Sequence, residues 1–78
     1  MISARQIRAA RGLLEWTSKD LAHKLGMTPA TISKIEAEHV QPQENSLMRI
    51  ADLFDKHGVE FLEGDGVKMR QQEVRISE

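Results

Sequence analysis

The sequence predicts a compact all-α bundle of four to five short helices, followed by a short C-terminal β-hairpin or tail. Three observations carry this. Apolar residues recur at i, i+3, i+4 and i+7 near both ends of the segment from Ile7 to Phe54, and at shorter helical spacings between. Hydroxyl or proline positions open these segments, and Gly26 and Gly58 close two of them. Beyond Gly58 the spacing changes to alternation around Gly64-Asp65-Gly66, a turn signal.

The first helix is predicted over residues 3 to 14, capped by Ser3, with Ile7, Ala10, Arg11 and Leu14 along one face. An arginine on that inward stripe is its exceptional residue. A second helix opens at Thr17, whose hydroxyl can cap it while Asp20 reaches back to the cap amide. Trp16 and Leu21 fall at the two positions of a hydrophobic staple. Leu21, Ala22 and Leu25 form the inward stripe, leaving Lys19, His23 and Lys24 in water, and Gly26 stops the helix. A third helix follows almost at once, with Thr28 as cap and Pro29 at the first helical position, where a missing N–H costs nothing. Ile32 and Ile35 are its buried stripe, and Pro29, Ala30, Thr31, Ser33 and Lys34 remain for its outer surface. So short a joint forces a steep crossing, which is helix-turn-helix geometry.

Pro42 and the polar run Gln43 to Ser46 open a fourth helix with the stripe Leu47, Ile50, Ala51 and Phe54. Glu44 suits the positive end of its dipole, Lys56 and His57 suit the negative end, and Gly58 ends it. Met48 reads as a gap-filler or a surface residue. Residues 59 to 62 and 67 to 70 are expected to pair as a short hairpin, with Val74 to Ile76 as a candidate extension; the alternative is a frayed charged tail. A hairpin alone is marginal in water, so this one needs the helical core or a second chain to lie against.

The run Leu21-Ala22-x-x-Leu25-Gly26-Met27-Thr28-x-x-Thr31-Ile32-Ser33-Lys34-Ile35-Glu36 resembles the lambda-repressor and Cro-like (XRE-type) helix-turn-helix family, over roughly residues 5 to 62. The resemblance implies that helix 28–37 lies in the major groove of double-stranded DNA. Thr17, Ser18 and Thr28 would then hold phosphates at helix starts. Ala30 and Thr31 can touch a thymine methyl, Thr31 and Ser33 can hydrogen-bond, and Lys34 can reach guanine or a phosphate. Many family members carry glutamine where this chain has Pro29, which offers only its ring. The family also implies a structural ion pair between a first-helix arginine and the closing glutamate, here Arg11 and Glu36, with direct DNA contact as the other role open to Arg11. After Glu36 the family continues with glycine and basic residues, whereas this chain has Ala37-Glu38-His39-Val40-Gln41-Pro42. Fewer cations there imply weaker, less salt-sensitive binding.

Composition bounds the rest. A domain of 78 residues buries only about 60% of its unfolded surface, so dimerisation would help. There is no cysteine, hence no disulfide framework. The N-terminus lacks the apolar core of a signal peptide, and no stretch approaches the roughly 18 apolar residues of a membrane span, so no membrane association is expected and the expected location is the cytoplasm. The net charge of −1 conceals a division: residues 1 to 34 sum to +4, and residues 35 to 78 to −5. His23, His39 and His57 lack ligand spacing, so no metal or cofactor is expected, and no serine sits in a nucleophile motif, so no catalytic residue is expected either. One Trp, two Phe and no Tyr provide no platform for single strands.

These readings converge on a DNA-binding domain over residues 1–62 and a hairpin or tail over 63–78, a candidate dimerisation element. The expected function is a transcriptional regulator acting as a homodimer, in the sense of a repressor because a chain this short has no room for an effector domain or a sizeable ligand cavity. The alternative is a protein-interaction module, antitoxin-like or bridging, whose protein partner binds the acidic C-terminal half.

Overall fold

The structure, a computed structural model, describes residues 2–70. Its elements run α1 (Ala4–Leu13), α2 (Ser18–Leu25), α3 (Pro29–Glu36), α4 (Glu44–Lys56), β1 (Val59–Phe61) and β2 (Val67–Met69). The described residues thus hold four helices and one antiparallel hairpin, registered Val59 to Met69, Glu60 to Lys68 and Phe61 to Val67. The extension at Val74 to Ile76 lies outside the described residues. None of these helices is long and apolar enough to cross a membrane.

Local chemistry explains where the helices begin. Ser3 Oγ accepts from Gln6 N–H (3.1 Å) and Gln6 Oε1 accepts from Ser3 N–H (2.9 Å), a capping box. Thr17 and Asp20 form the same reciprocal pair at α2 (2.9 and 3.0 Å). Thr28 Oγ1 caps α3 through Thr31 N–H at 3.1 Å, with Pro29 in the first turn. Helix α4 starts at Gln43 without a side-chain cap, and Glu44 occupies its first turn. The first helix is one residue shorter at each end than its apolar pattern, because Ser3 and Leu14 serve as caps.

The stripes meet in one core: Ile7 and Ala10 from α1, Leu21, Ala22 and Leu25 from α2, Ile32 and Ile35 from α3, Leu47, Ile50 and Phe54 from α4, and Val59 from β1. Burying each large side chain contributes about 1.5–3 kcal/mol. Trp16, placed by the sequence at a staple position, stacks on Phe54 with centroids 5.7 Å apart and meets the edge of His57 at 4.8 Å. Met48 lies on the surface.

The hairpin lies against the helices of its own chain. Phe61 meets Phe54 edge-on at 6.0 Å, and Gln6 does the rest. Only 2% exposed, Gln6 donates from Nε2 to Leu62 O (2.8 Å) and Gly66 O (2.9 Å), so one amide closes the first helix turn and holds both sides of the hairpin tip. Ser3 and Arg5 add bonds to Asp65 at 3.0 and 3.2 Å. At the other end Arg70 reaches Asp55 and the carbonyl of Gly58. Replacing Gln6 with Ala strands the Leu62 carbonyl and a cap amide, while Gly66 O keeps its bond from Leu62 N–H, and an unsatisfied buried group costs about 1–3 kcal/mol. We therefore expect Gln6→Ala to lower the thermal midpoint by roughly 8–16 °C, the shift that about 2 kcal/mol produces in a domain of this size. An unchanged midpoint would mean that the hairpin tip is not held through Gln6.

Candidate nucleic-acid interface

Two eight-residue helices, α2 and α3, are joined through Gly26, whose φ of +71° lets the chain reverse between them. Gly26 N–H donates to His23 O (3.2 Å) and Met27 N–H to Ala22 O (2.9 Å), which satisfies the last carbonyls of α2. Arg49 of α4 also donates to Leu25 O, capping α2 from outside. With Ile32 and Ile35 turned into the core, Pro29, Ala30, Thr31, Ser33 and Lys34 lie together on the exposed side of α3, and Thr28 is exposed at its start. Thr17 is exposed and Ser18 half-buried at the start of α2.

The polar groups of this face are already partly engaged. Thr28 Oγ1 accepts from Thr31 N–H and lies 2.9 Å from Thr31 Oγ1, so the two hydroxyls share one proton position between them. Proline has no N–H at the next position, and Ala30 N–H is left without an intrahelical acceptor. Asp20 is held below its ordinary value of 3.8, first by the Thr17 N–H, then by the Thr17 hydroxyl, with Lys24 and His23 adding smaller attraction.

The charges at the far end of α3 form a compact node. Arg11 Nε donates to Glu36 Oε2 at 2.8 Å, its Nη2 to Oε1 at 3.0 Å, and its Nη1 to Trp16 O at 3.0 Å. Arg8 donates to the Glu36 carbonyl. The Glu36 side chain is 8% exposed and that of Arg11 23%. The only carboxylate of α3 is therefore turned inward, and Lys34 is the one charge on the outer face of that helix.

This node changes the meaning of the positive N-terminal half. Of its six basic residues, Arg11 is paired with the Glu36 carboxylate and Arg5 with Asp65 on the surface, while Arg8 is oriented by the Glu36 carbonyl and keeps its charge. Lys19, Lys24 and Lys34 are exposed and outside the ion pairs of the described residues, with Lys24 Nζ 4.8 Å from the centroid of the Trp16 ring. The second role of Gln6 and the capping by Arg8 and Arg49 escaped the sequence reading. Ser3-x-x-Gln6 was a legible capping box. The arginine caps had no local signal, because each arginine lies on a different element from the carbonyl it caps.

A family model described as helix-turn-helix matches residues 7–61. No curated protein matches the chain.

Two outcomes follow for the joint that orients α3. Removing the Glu36 carboxylate leaves Arg11 facing a half-buried void, and breaking a buried pair costs about 3–5 kcal/mol; Glu36→Ala should sit at the low end because Arg11 keeps some solvent, as chemical denaturation would show. The depressed Asp20 contributes stability that is fully present above 3.8 and is lost as pH falls through its lower folded value. The acid limb of a stability–pH curve should consequently be shallower in Asp20→Asn than in the native chain; identical limbs would exclude the capping carboxylate as a contributor.

Proposed function

The chain belongs to the lambda-repressor and Cro-like helix-turn-helix family of DNA-binding regulators, and from that premise we propose that it is a sequence-specific repressor of transcription. It reads the major groove of double-stranded DNA with helix 28–37 and works in the cytoplasm as a homodimer. The observation that carries this is the outer face of α3, where Ala30, Thr31, Ser33 and Lys34 stand exposed while Glu36 is withdrawn to Arg11. A carboxylate on the outer face would repel phosphates, and here the one α3 carries is turned to Arg11.

Each residue has a role on this reading. Thr17, Ser18 and Thr28 stand at helix starts, where amides and the dipole favour phosphate. Ala30 and Thr31 offer methyl groups to thymine, Thr31 and Ser33 offer hydroxyls, Pro29 offers ring contact, and Lys34 reaches guanine or phosphate. None of these is a bidentate reader, so two half-sites about one helical turn apart are needed for useful discrimination. That requirement supports a homodimer. Strand β2 pairs with β1 on one side only within the described residues, so its outer edge supplies unpaired backbone groups for a second chain, and the 63–78 segment is the proposed dimerisation element.

The internal use of Arg5, Arg8 and Arg11 favours a second reading, in which the fold serves mainly to bind a protein partner through the acidic C-terminal half. Selection of bound sequences from random duplex DNA, followed by salt titration of the winner and of a scrambled control, separates the two. The repressor reading expects a palindromic winner, clear preference over the control and affinity that falls with salt, with Lys34→Ala weakening binding and flattening the slope. No enrichment and equal binding to both duplexes would instead support the partner-binding module.

A further inference from the structure

Three helices of this chain end in one and the same closure, yet the residue at its critical position differs. After α1, Glu15 N–H donates to Gly12 O (3.1 Å) and Trp16 N–H to Arg11 O (3.0 Å). After α2, the equivalent donors are Gly26 (3.2 Å, to His23 O) and Met27 (2.9 Å, to Ala22 O). After α3, they are Glu38 (3.1 Å, to Ile35 O) and His39 (2.9 Å, to Lys34 O). This is the Schellman arrangement, and it forces its fifth residue into the left-handed region. The φ values there are +59° for Glu15, +71° for Gly26 and +62° for Glu38. Glycine meets that demand without strain, while an L side chain is strained by its Cβ.

At Glu38 the charge adds a second cost, because a carboxylate just past a helix C-terminus faces the negative end of the dipole, whereas Glu15 stands between the end of α1 and the start of α2 and meets both poles. Both side chains are exposed, and neither takes part in an ion pair or side-chain hydrogen bond of the described residues. Neither carboxylate is therefore tied to a side-chain partner of the fold among the described residues. Strain of this kind, held without structural return, points to a role outside stability.

Both turns adjoin the elements read as the DNA-binding surface. Arg11 joins the two turns, holding the carbonyl next to Glu15 and the carboxylate two residues before Glu38. Glu15 also precedes the start of α2 at Thr17 by two residues, and Glu38 follows Lys34 by four. Resting on the reading of α3 as the groove-bound helix, we propose that Glu15 and Glu38 are electrostatic brakes on duplex DNA. They stand beside the backbone that flanks the recognition helix and repel its phosphates, lowering affinity for every sequence alike. A chain with few outward cations on α2 and α3, Lys19 and Lys34 among them, is sensitive to two opposed carboxylates, because sequence-independent affinity is set by charge.

The test separates charge from strain. Glu→Gln removes the charge and keeps the left-handed side chain, whereas Glu→Gly removes both. Binding of the full chain to a random-sequence duplex is followed by fluorescence anisotropy across a salt series, alongside thermal melting. Glu15→Gln and Glu38→Gln should each tighten binding about 3-fold near 50 mM salt and the double variant about 10-fold, with the gain fading towards 300 mM as screening grows. Their melting midpoints should stay close to the native one, while Glu15→Gly and Glu38→Gly raise it and bind no tighter than the Gln variants. Glu63→Gln, an exposed carboxylate on the hairpin tip, is the positional control and should leave binding unchanged. The proposal is overturned by Gln variants that bind like the native chain, or by Glu63→Gln tightening binding equally. If the native chain and all variants alike lack salt-sensitive duplex binding, the DNA reading itself fails and takes the brakes with it.

Discussion

The guanidinium of Arg11 bonds to two separate turns, and the pose of α3 depends on it. An isolated helix shorter than about 12 residues is marginal in water, and α3 has eight residues with two isoleucines in the core. Those isoleucines anchor the helix but leave its roll about its own axis weakly determined. The planar fork from Arg11 to both oxygens of Glu36 fixes that roll at one end, and Thr28 with Pro29 fixes the other. The third Arg11 bond, to Trp16 O, ties the same end to the turn that starts α2. Lysine, a point charge with no fork, could not hold three acceptors in these directions.

A glutamate at the end of a helix would ordinarily be a poor choice, since it adds negative charge to the negative pole. Arg8 and Arg11 reverse that balance by meeting the last carbonyl and the carboxylate together. The same device recurs through the fold. Arg49 serves the end of α2 at Leu25 O, and Arg70 serves α4 at Asp55 O. Each of these arginines comes from a different element than the helix it closes, so each bond is both a cap and a tertiary strut. For a domain with so small a core, that double use matters: the cost of satisfying helix ends is turned into fixing one helix against another.

Much of this was legible in the sequence, and the illegible part has a physical cause. The buried stripes, the caps at Ser3, Thr17 and Thr28, the stop at Gly26 and the hairpin around Gly64 are local patterns, readable within a few residues. Gln6 shows the limit. Its capping partner is three residues away, but its other two bonds reach 56 and 60 residues along the chain, and no local pattern encodes those. Glu38 shows the opposite case. The family resemblance places a glycine in this turn where the chain has Glu38, and the φ of +62° explains what glycine would have supplied there. The outer face of α3 could be read off as the complement of Ile32 and Ile35, whereas the fate of the arginines could not, because a count of charges contains no directions.

That last point governs what the candidate interface can do. A sum of +4 over residues 1 to 34 suggests a strongly cationic half, yet the three arginines that supply much of it are oriented by carbonyls and carboxylates of the fold. A guanidinium that holds Glu36 in place cannot also neutralise a phosphate at full strength. The residue that fixes the end of α3 therefore competes with those that would bind through it: Arg11 serves the first purpose, and its charge is set against Glu36. Lysine side chains on exposed helix surfaces give long, mobile, undirected attraction rather than shape-matched recognition. On the proposed function a single copy is sparsely armed, with discrimination resting on the short hydroxyl and methyl groups of Thr31, Ser33 and Ala30, and retention on a duplex would then come from repeating that modest set in a second copy.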